Sequence, residues 1–376
     1  MATIERKYIV FGDEHYNPLG VVRSLGEAGI RPILFVKKSK FKIVSASKYI
    51  FKVFYINSLD EGYEILLKHY GNCTPKPVLI PCDDQTVRYF DNKYEDLKDK
   101  FLFNNAGGNN NITYFLNKIH INSLAEKHGL KVAKTYLIEK GTIPEDIVYP
   151  VISKTVTSYS GKWKDDYYIC NNEEELKDAY KKIEGTDIFL QQFITKKNEL
   201  CLDGFCVKGK TFIAIASTYT YLLPGQYSCR MHIKNFDNKK LEKAISSIFE
   251  EIGFEGIFSI EFLIGEDNTL YFLEINFRNS TWSYASTKLG MNLPVLWAQG
   301  MSRGEIPQNI RKKIPDGYTA MAEIPDFKWR VLSRKIGIIR WLKELKNTDC
   351  LFFYNKKDPK PLYSTLYTKI KTKVIR

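Results

Sequence analysis

Gly256-Ile-Phe-Ser-Ile-Glu-Phe-Leu-Ile-Gly-Glu-Asp-Asn-Thr-Leu-Tyr-Phe-Leu-Glu-Ile-Asn-Phe-Arg278 is the stretch on which the fold turns. Two apolar runs, 256–264 and 270–276, flank Gly-Glu-Asp-Asn, so the spacing predicts a β-hairpin. A turn centred on Asp267 and Asn268 pairs residues whose numbers sum to 535. Glu261 then stands opposite Glu274, with Cα atoms about 4.5–5.5 Å apart. Side chains alternate along a strand, so Asn276 and Arg278 share the face of Glu274, while Phe262, Leu273 and Ile275 turn to a core. Two carboxylates and an amide oxygen on one face suit a hard divalent cation. Mg²⁺ takes one or two carboxylates and completes its shell with phosphate oxygens and water, and Mn²⁺ accepts similar ligands. The hairpin alone leaves a second reading open: a solvated sheet face whose opposed acids cost only a fraction of a kcal/mol. A register one residue different would put the two glutamates on opposite faces and remove the site.

Outward from the hairpin, the first 110 or so residues alternate strand and helix. Lys7-Tyr-Ile-Val-Phe-Gly12 reads as a strand, Asp13–Pro18 as a loop, 20–29 as a helix and 32–36 as a strand. Pro77-Val-Leu-Ile-Pro81 is a further strand leading into Asp83, Asp84 and a helix. This alternation predicts a parallel, helix-covered sheet. Asp83 and Asp84 either cap that helix, the favoured reading, or line a substrate cleft. The asparagine-rich stretch Asn104–Asn111 reads as a loop and domain boundary, followed by a helix from Tyr114 to His128. Denser strands then run from Thr135 to Ser217, with a helix over 173–183, and Lys239–Ile252 forms another helix facing inward through Leu241, Ala244, Ile245, Ile248 and Phe249.

Charge placement excludes a globally basic nucleic-acid-binding domain. The net charge is +13, yet residues 311–376 hold 17 Lys+Arg against 6 Asp+Glu, leaving the preceding 310 residues close to neutral. Seven cysteines without short paired spacings give neither a zinc site nor a disulfide framework. No run reaches the roughly 18 apolar residues of a membrane span, and no leader pattern opens the chain, so a cytoplasmic protein is expected.

Phe272-Leu-Glu-Ile-Asn-Phe-Arg278, preceded by Ser259-Ile-Glu-Phe262, resembles the closing metal signature of the ATP-grasp superfamily. The likeness follows that superfamily in order from about residue 1 to 305. Asn17-Pro-Leu-Gly-Val-Val-Arg-Ser-Leu-Gly26 and Ser45-Ala-Ser-Lys-Tyr49 look like the preceding domain of its carboxylate–amine ligases, of the D-aspartate ligase and carbamoyl phosphate synthetase-like kind. The resemblance implies an α/β N-terminal domain with a parallel sheet (1–111) and an α+β ATP-grasp domain pair (112–305, with a small lobe over about 130–195 and a large lobe over about 196–305). A helical basic C-terminal extension (306–376) follows, beyond the resemblance.

Residue by residue, the resemblance implies metal ligands at Glu261, Glu274 and Asn276, and phosphate-binding lysines at Lys118 and Lys154. It implies a phosphate-covering loop over 155–162 with Ser160 and Gly161, though family members carry more glycine there. Gln191, Gln192, Phe193 and Ile194 match the hinge whose main chain reads adenine, and Glu199 the residue on the ribose hydroxyls; an acid is more usual than either glutamine. Arg278 matches the arginine that stabilises an acyl phosphate, with Phe277 in place of the usual proline, and Arg230 matches one serving the transferred phosphate. Set against these are plain readings: surface lysines, core packing for Phe193 and Ile194, and a surface arginine at 230.

The expected function is an ATP- and Mg²⁺-dependent ligase (Mn²⁺ as a substitute) joining a small-molecule carboxylate to an amine, an amino acid among them, through an acyl phosphate. The alternative is a catalytically weak nucleotide-binding module held to a membrane or polyanion by its basic tail. Residues 337–346 place Ile338, Trp341, Leu342 and Leu345 on one helical face among basic residues. That face either docks on the body, the favoured reading, or makes peripheral contact with an anionic membrane through 331–376. No nucleic acid is expected as a partner, and the oligomeric state stays open.

Overall fold

The computed structural model describes residues 6–155, 167–183, 186–223 and 227–374. The chain divides into two compact units: unit 1 holds 1–124, 200–261 and 274–376, and unit 2 holds 125–199 and 262–273.

Unit 1 begins with a four-stranded parallel sheet in the order Lys52–Ile56, Ile33–Lys37, Tyr8–Gly12, Val78–Pro81. Its two inner strands are apolar and buried on both faces up to the half-buried Lys37 at one end, as expected of a sheet covered by helices. The Tyr16–Glu27 helix follows the first strand; His15 is its N-cap, with Nδ1 accepting the Asn17 N–H at 3.2 Å. Asp83 caps the Asp84–Asn92 helix in the same way, accepting the Thr86 N–H at 2.8 Å.

A second sheet of eight strands has the order Cys350–Leu351, Thr319–Met321, Arg230–Lys234, Lys210–Tyr219, Lys196–Val207, Gly256–Gly265, Leu270–Asn276, Lys131–Val132. A bulge between Asp203 and Gly204 brings that backbone so near its neighbour that a Cβ on Gly204 would overlap the Phe212 carbonyl oxygen. The Lys239–Ile252 helix has the expected span. Asn238 caps its start, Gly253 at φ 70° ends it, and Leu241, Ile245, Ile248, Phe249 and Ile252 form its buried face, with Ala244 only half-buried.

Unit 2 is built on a four-stranded antiparallel sheet in the order Thr135–Glu139, Asp187–Gln192, Val151–Thr155, Tyr167–Cys170. The Glu173–Lys182 helix covers it, packing Leu176, Ala179 and Tyr180 with Val151, Ile188 and Leu190.

Four features differ from the sequence reading. The stretch Asn104–Asn111 is no free linker: buried Asn104 donates to the carbonyls of Ile257 (3.2 Å) and Phe277 (2.8 Å), and the unit boundary falls later, at 124/125. The helix expected over 114–128 is two, Asn111–Phe115 and Lys118–Lys127. Asn117 breaks it by accepting the Ile119 N–H on its own side chain at 2.9 Å, a local bond that competes with the helical ladder.

The hairpin turn is one residue tighter than expected. Asn268 N–H donates to Gly265 O and Gly265 N–H to Thr269 O, both at 2.9 Å, with Asn268 at φ 62°. Residues near the turn therefore pair with numbers summing to 534, as the Phe262–Phe272 ring contact at 5.9 Å agrees.

Finally, residues 306–376 belong to unit 1 instead of standing apart as an extension. Thr319–Met321 and Cys350–Leu351 lengthen the eight-stranded sheet, and a buried pair joins Arg23 Nε to Asp358 at 3.0 Å. The Arg23 fork also donates to the carbonyls of Phe352 (2.6 Å), Phe353 (3.1 Å) and Asp358 (2.8 Å). Basic composition hid this, because the anchoring is done by the few apolar and acidic residues among the lysines. The segment is helical over Ile338–Lys346 and Lys360–Val374.

Candidate active site

The acidic end of the hairpin lies wholly within unit 1, where five of the expected residues come together. The Asn276 amide nitrogen is 3.1 Å from Glu261 Oε1 and 3.5 Å from Glu274 Oε1, so one amide bridges both carboxylates. Asn276 and Glu274 share a face by strand alternation. The contact from Asn276 to Glu261 Oε1 brings that carboxylate to the same side. Lys118, at the first residue of its helix, reaches to 3.9 Å from Glu274 Oε2. Both of those side chains are well exposed, so the pair contributes about 1 kcal/mol at most.

Arg278 closes the cluster on the other side. Its Nε and one terminal nitrogen grip Asp84 in a two-pronged fork at 2.8 and 3.0 Å, and it also donates to Asn276 Oδ1 (3.1 Å) and Asn279 O (3.3 Å). Burial opposes the charge on Arg278, but the bonded carboxylate of Asp84 and the fields of Glu261 and Glu274 outweigh it, so its pKa is raised. Burial, and then the Arg278 charge, lower the His15 pKa to about 4, keeping that imidazole neutral at neutral pH. A cavity of about 150 Å³ opens here, lined by Asp84, Arg88, Phe115, Lys118, Glu274 and Asn276 among others.

These residues fit a divalent cation bound together with phosphates. The carboxylates of Glu261 and Glu274 are hard oxygen donors drawn to one point, and the Asn276 NH₂ now answers the negative charge that a cation would answer. A half-turn of that amide would present its oxygen instead. Among the described residues no cluster of three or more His, Cys, Asp or Glu could hold a metal ion, so this donor set needs phosphate and water to fill a shell.

The other expected residues have neighbours of their own within each unit. Arg230 NH1 is 3.6 Å from Glu344, which also pairs with Arg330 at 2.5 Å, and the Arg230 Nε is buried without a partner among the described residues. In unit 2, the Lys154 backbone pairs with Phe189 and Tyr167 at the centre of the antiparallel sheet. Gln191 Nε2 donates to Thr135 Oγ1 at 3.0 Å, Gln192 N–H to Lys134 O and Phe193 N–H to Pro150 O, both at 2.8 Å. Phe193 and Ile194 are half-buried, and Glu199 accepts from Lys196 at 2.6 Å. Ser160 and Gly161 lie outside the described residues.

The favoured cap reading of Asp83 and Asp84 holds for Asp83, which caps the helix, and not for Asp84, which is the arginine's partner. His15, Arg88 and Asn279 were missed. Asn279 and Asn17 join side chain to side chain, and Asn17 also donates to Asn279 O at 3.3 Å and Cys82 O at 3.2 Å, tying the residue after Arg278 to the first sheet. The available signal was positional, since loops at the carboxyl ends of parallel strands are where such sheets bind ligands.

The fold is that of the ATP-grasp superfamily. No family model matches the chain. The chain is similar to N5-carboxyaminoimidazole ribonucleotide synthase of Staphylococcus aureus strain COL, 26% identical over 168 residues, which is 40% of this chain and 43% of that protein; the match spans less than half of the curated relative's length. The solved structure of N5-carboxyaminoimidazole synthetase from Staphylococcus aureus aligns over 88% of this chain and 86% of its own, with a TM-score of 0.63 and 16% identity. An L-amino acid ligase from Bacillus licheniformis aligns over 81% and 78%, with a TM-score of 0.57 and 14% identity. Each of these neighbours is named as an enzyme, which does not favour the alternative of a nucleotide-binding module without turnover.

Proposed function

We propose that this protein is an ATP-dependent carboxylate–amine ligase, forming an amide or peptide-like bond through an acyl phosphate. The observation that carries the reading is the convergence of Glu261, Glu274, Asn276, Lys118 and Arg278 at one place, with oxygen donors at its centre and cations at its rim.

Glu261, Glu274 and Asn276 would hold Mg²⁺, or Mn²⁺ in its place, which supplies charge neutralisation for the β- and γ-phosphates. Lys118 adds a mobile point charge at the phosphates, and the planar fork of Arg278 suits the acyl phosphate's oxygens as the carboxylate is phosphorylated and the amine then displaces phosphate. Asp84 holds that fork in one orientation. Arg230 is assigned to the transferred phosphate on the resemblance alone. In unit 2 the reading gives phosphate contacts to Lys154, Ser160 and Gly161, adenine contacts to the main chain of Gln191–Ile194, and the ribose to Glu199. A small-molecule carboxylate and amine are the substrates, with amino acids the class the ligase neighbour's name supports.

The test is ADP and phosphate release from ATP across a matrix of carboxylate–amine pairs. At least one pair should raise turnover well above ATP alone, and Glu274→Gln should abolish it. A matrix with no active pair, or a Glu274→Gln variant that retains turnover, would overturn the proposal.

A further inference from the structure

Two features of the last 50 residues have no part in the ligase site. The first is an apolar groove of about 1100 Å³ between the Phe327–Leu332, Ile338–Lys346 and Lys360–Val374 helical segments. Phe327, Leu332, Leu342, Leu345, Leu366 and Ile370 line it, and Lys328, Lys346 and Lys369 also line it. Trp341 is buried and fixed, its indole N–H donating to Asp326 at 2.8 Å, so the floor is rigid while Leu332, Leu342, Leu366 and Ile370 stay open to solvent. The favoured reading, docking of the 337–346 face, therefore holds for Trp341 and not for Ile338 or Leu342, each about half exposed.

The second feature is a stripe on the Lys360–Val374 helix. Tyr363, Leu366, Tyr367 and Ile370 recur at i, i+3, i+4 and i+7, the spacing of one helical face, and are 41–67% exposed. Tyr363 and Tyr367 continue the band away from the groove, beside Lys48 and Lys360. Ile338 and Ile339 add a second exposed apolar edge on the Ile338–Lys346 helix.

We propose that this band of groove and stripe rests on an anionic lipid surface. Charge selects that occupant. Residues 331–376 hold 12 Lys+Arg and 3 Asp+Glu, and each of the three acids, the exposed Asp349 included, is already bonded within the chain. Glu344 pairs with Arg330 and Arg340, Asp349 accepts the Thr319 N–H at 2.8 Å, and Asp358 is buried against Arg23. The outward field is positive, so a second copy of the same face is repelled. A single acidic helix would fill the groove and leave the tyrosine stripe bare. Isoleucine and leucine between tyrosines and lysines is the composition of a lipid–water interface, where aromatic rings sit at headgroup depth and lysine stems lie along apolar surface. Among the described residues no helix is long and apolar enough to cross a membrane, so the contact is peripheral.

Co-sedimentation of the full chain with phosphatidylcholine vesicles, with and without about 30% phosphatidylglycerol, tests the proposal. Binding is expected to the anionic vesicles, at least tenfold weaker to the neutral ones, and lost near 0.5 M salt, roughly where screening becomes complete at short range. The pair Lys328→Gln and Lys346→Gln should weaken binding about 30-fold, from roughly 1 kcal/mol per lysine. Ile339→Asp with Ile370→Asp, both on exposed positions, should abolish it with the circular dichroism spectrum unchanged. Glu274→Gln should bind like wild type, which separates this result from the fate of the ligase reading. Equal sedimentation with both vesicle types, indifference to both sets of variants, or a dimer in sedimentation velocity that Ile370→Asp dissolves would overturn the proposal.

Discussion

Asp84→Asn separates holding an arginine from using it. Arg278 is 19% exposed and is gripped by Asp84 through two bonds at 2.8 and 3.0 Å; Asp84 itself is 46% exposed. Hydrogen bonds to charged partners contribute roughly 1.5–3 kcal/mol each, and the exposure of Asp84 reduces the net stability of the pair to about 1 kcal/mol. The asparagine keeps the shape and one acceptor, and Arg278 keeps Asn276 Oδ1 and Asn279 O. Urea unfolding should therefore record a loss of about 1 kcal/mol, and kcat/KM in the phosphate-release assay should fall roughly tenfold as the fork loosens. Arg278→Lys should cost much more, roughly 10²–10³-fold, because one ammonium cannot span two oxygens in a plane. Asp84→Glu should recover part of the loss. An Asp84→Asn variant as inactive as Arg278→Lys at unchanged stability would refute the reasoning, since Asp84 would then act on substrate itself.

Two groups, the exposed His15 and the fully buried Asp203, should give opposite pH slopes. His15 titrates at about 4 in the folded chain against 6.5 ordinarily, so its contribution is complete above pH 6.5 and falls away on acidification toward 4; because the residue is exposed, solvent screening holds that contribution to about 1 kcal/mol. Denaturation of His15→Gln at stepped pH should lose that acid-side decline, and an unchanged profile would contradict it. Burial raises Asp203 to about 6 from 3.8, while Ser280, Ser283 and Cys201 pull the other way. The folded chain then holds the extra proton between pH 4 and 6, and about 3 kcal/mol is lost as pH rises through that window. Asp203→Asn should therefore remove that decline between pH 4 and 6, and a variant that still loses stability over this window would contradict it.

The sequence made the parallel first sheet, the hairpin and the Lys239–Ile252 helix legible because each has a strong local pattern: buried apolar runs, a glycine–asparagine turn, a cap at each end. What stayed hidden depended on distant partners. Asn104 sits in an asparagine-rich run that looks like a loop, yet its amide closes on Ile257 and Phe277, some 150 residues away. Asp84 looks like half of a helix cap until Arg278 is folded beside it. The basic tail looks detachable because lysines dominate its composition, while Phe352, Phe353 and Asp358 do the anchoring. At the hairpin, Gly265 closes on Thr269 instead of Leu270, and Glu261 and Glu274 converge on Asn276 as the sequence reading expected.

Water-proton relaxation during a Mn²⁺ titration, with and without ATP, tests the paired glutamates most directly. The wild-type chain should bind Mn²⁺ with ATP far more tightly than Mn²⁺ alone, and Glu261→Gln or Glu274→Gln should weaken the ternary complex at least tenfold, about 1.4 kcal/mol or more. Equal Mn²⁺–ATP affinity in wild type and both variants would contradict a cation site on this hairpin.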